Sequence, residues 1–517
     1  MYDFVIVGAG SAGCVLAARL TADPDVSVLL IEAGPPDSAP EIKIPMAWAQ
    51  HFKTALDWDY ATEPEPGLDG RRRNLPRGRT LGGSSSINAM IYMRGNPADY
   101  DEWAASGAHG WGWDDVLPYF KRSEDNEHGA DDLHGAGGPL KVRDLRFKHP
   151  LMEAVLDAAV QAGHERNDDH NGPSQDGFGW LQVTQDNGLR QSTADAYLHP
   201  AAERPNLTVM TDTTVTRVLI EDGRAVGVEL LDGQERSEVR AEREVILSAG
   251  AYNSPQLLML SGIGHSAELA PLGIAPVADL PVGDNLQDHV FFGLVYHTDQ
   301  ESLSTAGTPE NIALLFGEGR GPLSSNVAEA GGFYRTEPEL TAPDIQVHAG
   351  AVMLVEEGLA APVHHAFTVA PTLLRPTSRG RVTLRSPNPT AKPRIQHNYL
   401  TTEEDRRTVV RAVRQALEIV EQPALAKFRG DPISAPDGTD DDSILRFARY
   451  TLSSIFHPVG TCAIGAVVDE DLRVKGVGGL RVVDASVMPT IVRGNTNAAT
   501  VMIAERAADL IAGRTAP

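Results

Sequence analysis

The sequence predicts an α/β protein: a Rossmann-type nucleotide domain joined to a second, discontinuous α+β domain. The first sign is the opening stretch, where an apolar β-type run from Phe4 to Val7 leads into Gly8-x-Gly10-x-x-Gly13 and then an Ala/Leu-rich helical segment. A lone glycine motif says little, but a strand before it and a helix after it give it structural meaning. The second sign is another apolar strand, VSVLLIE, which ends at Glu32, 19 residues past Gly13. The third is length: at about 100 to 200 residues per domain, 517 residues exceed one ordinary core, and two domains of unequal size are expected.

Each piece of the opening has a physical task. Gly8 permits the tight turn, Gly10 lets the backbone approach a pyrophosphate, and Gly13 lets helix and strand pack closely. Phosphates then sit at the positive end of the helix. The Glu32 carboxylate can accept hydrogen bonds from both ribose hydroxyls of an adenosine and repels a 2′-phosphate. The ligand is therefore FAD or NAD rather than NADP. No second G-x-G-x-x-G occurs in residues 14 to 517, and HGAGG at His134 to Gly138 follows no strand pattern, so one dinucleotide site is expected.

Composition narrows the classes. With 42% hydrophobic and 22% charged residues the chain is a typical globular one. Its net charge of −25 repels phosphate backbones, which argues against a nucleic-acid partner. The one basic run, RRRNLPRGR from Arg71 to Arg79, reads as a solvated loop or as help in holding a phosphate. Two cysteines, Cys14 and Cys462, exclude a disulfide framework and a C-x-x-C zinc site. With no basic leader and no run of 18 apolar residues, a soluble cytoplasmic protein without an integral membrane segment is expected. No G-x-S-x-G is present to suggest a serine hydrolase.

Further along, GRTLGGSSSINAMIYMRGNPADYDEW begins at Gly78, and REVILSAGAYNSPQLLMLSGIG combines a strand over Val245 to Leu247 with a helix from about Pro255. The first offers close backbone approach at Gly82 and Gly83, with short polar groups at Ser84 to Ser86 and Asn88. Near the C-terminus stand HPVGTCAIG and VVDASVMPTIVRGNTNAATVMIAERAADLI. On residues alone, His457 could be a base, a metal ligand or a packed side chain, because His-Pro also occurs at His149 and His199. With the N-terminal fingerprint, these blocks resemble the glucose-methanol-choline (GMC) flavoprotein oxidoreductases over nearly the whole chain. Their forms look most like the choline-dehydrogenase and bacterial alcohol-dehydrogenase branch.

The resemblance implies FAD as cofactor. It places cofactor contacts at Gly8, Gly10, Ser11, Ala12, Gly13 and Glu32; at Arg79, Leu81, Gly82, Gly83, Ser84, Asn88, Ala89, Met90 and Ile91; at Val215; and at Asp484, Ala485, Asn495 and Thr496. Some relatives bind FAD through a histidine two places after the serine pair, where this chain has Ile87, so non-covalent FAD is expected. By the same match His457 is the catalytic base and Asn497 its partner, an amide that can donate to the substrate oxygen but not take a proton. A histidine suits proton abstraction near pH 7, and Pro458 holds it away from the helical region. An Ala-rich helix starting at about Asn495 aims its positive end at the flavin.

The implied reaction is oxidation of a primary alcohol to an aldehyde, with hydride passing to flavin N5 and then to oxygen or a quinone-like or protein acceptor. The alternative is a lyase on the same fold, acting on a cyanohydrin with FAD structural. Glu329 and His348 align loosely with substrate-cavity positions. No metal site is expected: H-E-x-x-H is missing, and HERNDDH, His164 to His170, reads as a polar loop. The FAD-binding domain is expected over residues 1–155, 190–298 and 450–517, with residues 156–189 and 299–449 forming the substrate domain. In the latter, RRTVVRAVRQALEIVEQ has helical spacing, RVTLRS reads as a strand, and Gly317 to Ser325 is either a mobile lid or an ordered loop.

Overall fold

A computed structural model describes residues 1–360 and 363–517. The opening sheet is parallel at its centre: Leu207–Met210, Val28–Ile31, Tyr2–Val7 and Glu235–Leu247 lie side by side, with Leu480–Val482 beside the last. These strands read as unbroken apolar runs because both faces are covered; Phe4 to Val7 and Val28 to Ile31 are all buried. Glu235–Leu247 is long enough to serve two pairings. Its C-terminal half is parallel to Tyr2–Val7, while its N-terminal half runs antiparallel to Arg224–Asp232, which in turn pairs with Thr214–Glu221.

The second sheet is antiparallel, in the order Pro432–Ser434, Leu294–His297, Ala366–Leu373, Ile345–Gly350, Ala330–Tyr334, Gly177–Trp180. Val290–Phe291 joins it through Ala366–Leu373 and also pairs with Ser453–Ser454, just before His457. The expected helix in RRTVVRAVRQALEIVEQ spans Glu403–Val420, and the Thr402 hydroxyl accepts the Asp405 N–H at its start. It shares a core with this sheet and with the helix Pro150–Gln161.

Packing departs from the expected division in two places. Leu151, Met152 and Val155 bury in the core of the second sheet rather than the first. The strand in RVTLRS, Arg381–Thr383, pairs with Arg394–Gln396, and Val382, Leu384 and Ile395 bury in the nucleotide core. A Val382 N–H to Gly283 carbonyl bond of 2.7 Å ties that hairpin there. Sequence position misleads here because a two-stranded excursion follows whichever apolar surface it meets.

The helix expected from Pro255 begins earlier, at Gly250, and runs to Leu260. A proline inside a helix frees the carbonyl four residues before it. Here the Thr461 hydroxyl donates to that carbonyl, Ala251, at 2.7 Å. The last helix spans Asn497–Ala512, starting two residues after the expected Asn495. In Gly317 to Ser325, Gly319 caps the helix Pro309–Glu318, and Ser324 and Ser325 are buried. Both cysteines are free and buried. Among the described residues, no helix is long and apolar enough to cross a membrane.

Candidate active site

One cavity of about 570 Å³ runs from the N-terminal glycine turn, between the two sheets, to His457. At its first end the backbone is packed so closely that side chains have no room. A Cβ on Gly13 would stand 1.9 Å from the Gly8 carbonyl oxygen, and one on Gly83 would stand 2.7 Å from Gly10 Cα. Glu32 is buried there, accepting the N–H groups of Ala9 at 3.0 Å and Gly34 at 2.9 Å. Burial pushes its carboxyl up to about 7, opposed by those bonds and by Arg79.

The helix starts test whether a dinucleotide fits. Helices beginning after Asn96, His149, Thr308, Thr402 and Asp440 each have a side chain accepting a first-turn N–H. The helices Ser11–Leu20 and Asn497–Ala512 have no such cap, and both begin at the cavity wall. Their first-turn amides are left for a ligand, with the positive dipole ends favouring negative charge. A pyrophosphate suits the first, and the electron-accepting edge of a flavin suits the second. The residues present fit FAD.

Of the expected contacts, Gly8, Gly10, Ser11, Ala12, Glu32, Arg79, Gly83, Ser84, Asn88, Ala89, Met90, Ile91, Val215, Asp484, Ala485, Asn495 and Thr496 line the cavity. Gly13, Leu81 and Gly82 do not. Gly13 is the packing glycine behind the turn; Leu81 is buried in the nucleotide core; and the Gly82 N–H donates to the Ala9 carbonyl at 2.7 Å, tying one loop to the other. Of the basic run, Arg77 and Arg79 line the cavity, whereas Arg71 and Arg73 donate to the Tyr450 carbonyl.

At the reacting end, His457 is held from both sides. Its backbone N–H donates to Asp288 at 2.8 Å, and the same carboxylate accepts the hydroxyls of Ser454 at 2.6 Å and Tyr399 at 2.7 Å. Burial pushes Asp288 up to about 6 against those three bonds. The His457 ring meets His289, Nδ1 to Nδ1, at 3.0 Å, and His289 Nε2 lies 3.1 Å from the Leu374 carbonyl oxygen. A carbonyl only accepts, so His289 carries its proton on Nε2 and offers a lone pair at Nδ1. His457 Nδ1–H donates to that lone pair, which leaves the unprotonated Nε2 of His457 facing Asn495 Nδ2 at 3.4 Å. Burial brings His289 down to about 3 and, with the neighbouring His289, His348 and Arg77 side chains disfavouring a further positive charge, holds His457 well below the usual histidine range. Both rings are neutral near pH 7.

The expected partner, Asn497, is corrected by this geometry. Its Oδ1 accepts from Ser11 Oγ at 2.7 Å, so its side chain joins the last helix to the first. Asn495 stands beside His457 instead, and Gln346 Nε2 donates to its Oδ1 at 3.2 Å, turning the amide NH₂ toward His457. The two asparagines are a dipeptide step apart, and the start of the helix at Asn497 sends their side chains in different directions.

His348 lines the cavity, with Nδ1 3.1 Å from the Thr372 hydroxyl, and burial takes it down to about 4. Glu329 is away from the cavity. It is fully buried, accepts the His149 N–H at 2.6 Å and the Ser325 hydroxyl at 2.5 Å, and is pushed by burial to about 7. In the polar loop from His164, the buried His170 ring meets the Gln175 carbonyl at 3.3 Å. Sequence reasoning missed Asp288, His289 and Gln346; the available signal was the Asp-His pair of DNLQDH directly before a strand.

Backbone strain collects in the same place. Phe456, immediately before the base, has φ 68, and Val327 on the cavity wall has φ 75. A β-branched residue rarely adopts such a conformation, and strained backbone clusters at ligand sites. Ser454 accepts the Phe456 N–H at 2.8 Å, and the Arg77 guanidinium donates to its carbonyl at 2.5 Å, so the surroundings hold the strained turn.

A nucleotide-binding α/β sheet, two uncapped helix ends at one cavity and a buried neutral histidine fit a flavin oxidoreductase. Family profiles described as GMC oxidoreductase match residues 2–291 and 376–504, and the chain belongs to the GMC oxidoreductase family. It is an FAD-dependent oxidoreductase acting on CH–OH donors. It is 44% identical to an alcohol dehydrogenase [acceptor] of Pseudomonas putida, covering 99% of this chain and 96% of that one. It is 45% identical to the mitochondrial choline dehydrogenase of Mus musculus, covering 100% and 90%. Among solved structures, pyridoxine 4-oxidase from Mesorbium loti superimposes with a TM-score of 0.92 at 35% identity, covering 100% of both chains. The Aspergillus oryzae formate oxidase gives 0.92 at 28% identity, covering 99% and 98%.

Proposed function

We propose that the protein oxidises a primary alcohol to an aldehyde, with His457 Nε2 taking the hydroxyl proton. The observation that supports this is the hydrogen-bonded pair His289 and His457, which fixes the tautomer with its lone pair on Nε2, facing Asn495 on the cavity wall. FAD, when bound, supplies a two-electron acceptor whose N5 takes hydride from the alcohol carbon.

The chain's own groups do the rest. As the O–H bond of the alcohol breaks, its proton goes to His457 Nε2, and the oxygen's electron pair becomes available to form the C=O bond as the C–H pair departs. Asn495 Nδ2 donates to that oxygen while it carries negative charge, an effect that is strong in a site closed to water. Gln346 keeps the amide from turning. His289 accepts from His457 Nδ1–H throughout, so the imidazole does not rotate when it becomes charged. Because His457 is neutral at ordinary pH, it need not lose a proton before acting.

FAD is proposed to be held without a covalent bond: Ile87 lines the cavity at the position where some relatives link it. Electrons then leave to oxygen or to a quinone-like or protein acceptor. Anaerobic mixing of the yellow protein with primary alcohols tests the reading. Bleaching of the flavin absorbance and release of aldehyde are expected; a flavin that no primary alcohol bleaches would overturn it. A lyase would leave the flavin oxidised while cleaving a cyanohydrin.

A further inference from the structure

We propose that the alcohol taken by this site is uncharged and apolar next to its hydroxyl, and that a quaternary ammonium alcohol is a poor ligand. The inference rests on the alcohol-oxidising reading above and names its substrate class. It comes from what surrounds His457 on the side away from the glycine turn. Phe52, Phe291, Val327, Val352, Leu354 and Phe456 line the cavity there.

A cation entering such a space needs a free anion or several oriented acceptors, because burying an uncompensated charge is costly. The cavity carboxylates among the described residues each already accept at least one hydrogen bond. Glu32 accepts two backbone N–H groups at the nucleotide end. Asp484 accepts the Gly250 N–H at 2.9 Å, the Ser254 hydroxyl at 2.6 Å and the Ser486 N–H at 2.8 Å. Glu357, the carboxylate on the substrate side, accepts from Asn74 Nδ2 at 2.9 Å and has the Arg73 guanidinium 3.8 Å away.

Positive groups also stand near the base, offset by the Asp288 carboxylate behind it. Arg77 lines the cavity and donates to the Phe456 carbonyl, a neutral partner, rather than to a carboxylate. His457 becomes a second positive charge when it takes the proton. Aromatic rings can attract a cation through their faces, but Phe52 and Phe456 already pack edge to face with one another and Phe52 with Trp48, with centroids 5.5 Å apart in both pairs. A neutral apolar alcohol meets none of these costs and gains from leaving water.

The test compares choline with its uncharged carbon isostere, 3,3-dimethyl-1-butanol, together with benzyl alcohol and 1-octanol, on the FAD-loaded protein. Binding is read anaerobically from perturbation of the flavin spectrum, and reduction from its bleaching. The isostere and at least one other neutral alcohol are expected to bind about 10-fold or more tightly than choline. Choline binding as well as its isostere would overturn the inference, as would failure of all three neutral alcohols to perturb the spectrum. Preference for the neutral alcohols without bleaching would uphold the ligand class and sink the oxidation reading.

Discussion

The two ends of the cavity are built by different means. The glycine-turn end is made by two short stretches, Gly8 to Gly13 and Gly78 to Gly83, in which backbone packs on backbone, with a missing Cβ at Gly13 and another at Gly83. The reacting end draws His289, Gln346, His457 and Asn495 from four separate places in the chain and aims them by side-chain hydrogen bonds. Close approach tolerates no added atom, so a substitution at the first end is felt as loss of cofactor. Orientation tolerates substitution more gradually, so changes at the second end grade the rate.

That contrast is open to direct attack. Gly13→Ala has the largest expected effect: its Cβ collides with the Gly8 carbonyl, which no rotamer can move, and the protein should purify with almost no FAD. A yellow Gly13→Ala protein with normal FAD content would break the comparison. His457→Ala should retain FAD, because the base lies at the other end, yet slow anaerobic flavin reduction by about 100-fold or more in stopped-flow measurements.

Asn495→Ala removes a donor to the developing oxygen charge and should slow reduction by about 10- to 100-fold, with little change in FAD content. His289→Ala removes the acceptor for His457 Nδ1–H. Reduction should fall by about 10-fold, with alcohol binding nearly unchanged, since the tautomer rather than the pocket is lost. The wild-type pH profile sharpens this point. A histidine whose pKa is depressed is in its base form above that lowered value, so reduction should stay level from ~pH 8 through ~pH 6 and fall only in more acid solution. A wild-type rate that halves near pH 6.5 would show that His457 titrates as an unburied histidine does.

The smallest effect is assigned to Asn497→Ala. Its contact with Ser11 joins two helix starts, so FAD retention should weaken by about one hydrogen bond, ~1 kcal/mol, with reduction changed by less than about threefold. A large loss of rate in Asn497→Ala with a mild effect in Asn495→Ala would reverse the assignment made from the geometry.

Gly8 to Gly13 and Glu32 were legible in the sequence because turn, strand and helix signals sit within one short segment. The blocks from Gly78 and from His457 were legible through family resemblance, and both reach the cavity. Choosing between Asn495 and Asn497 failed on a two-residue difference in where the last helix starts, and only backbone direction decides that. Glu329 differs in another way: Val327 and Ala328 just before it line the cavity, but its side chain turns into the contacts with His149 and Ser325.

The sequence by itself determined the nucleotide sheet, the single glycine fingerprint and the presence of a His-Pro turn at residue 457. Those features depend on local sterics and on apolar periodicity, which act between residues near in the chain. Only the tertiary structure decided which nitrogen of His457 is free, which asparagine faces it and which carboxylates are already taken. Hydrogen bonds are short and directional, and their partners here lie as far apart in sequence as His289 and His457 or Gln346 and Asn495.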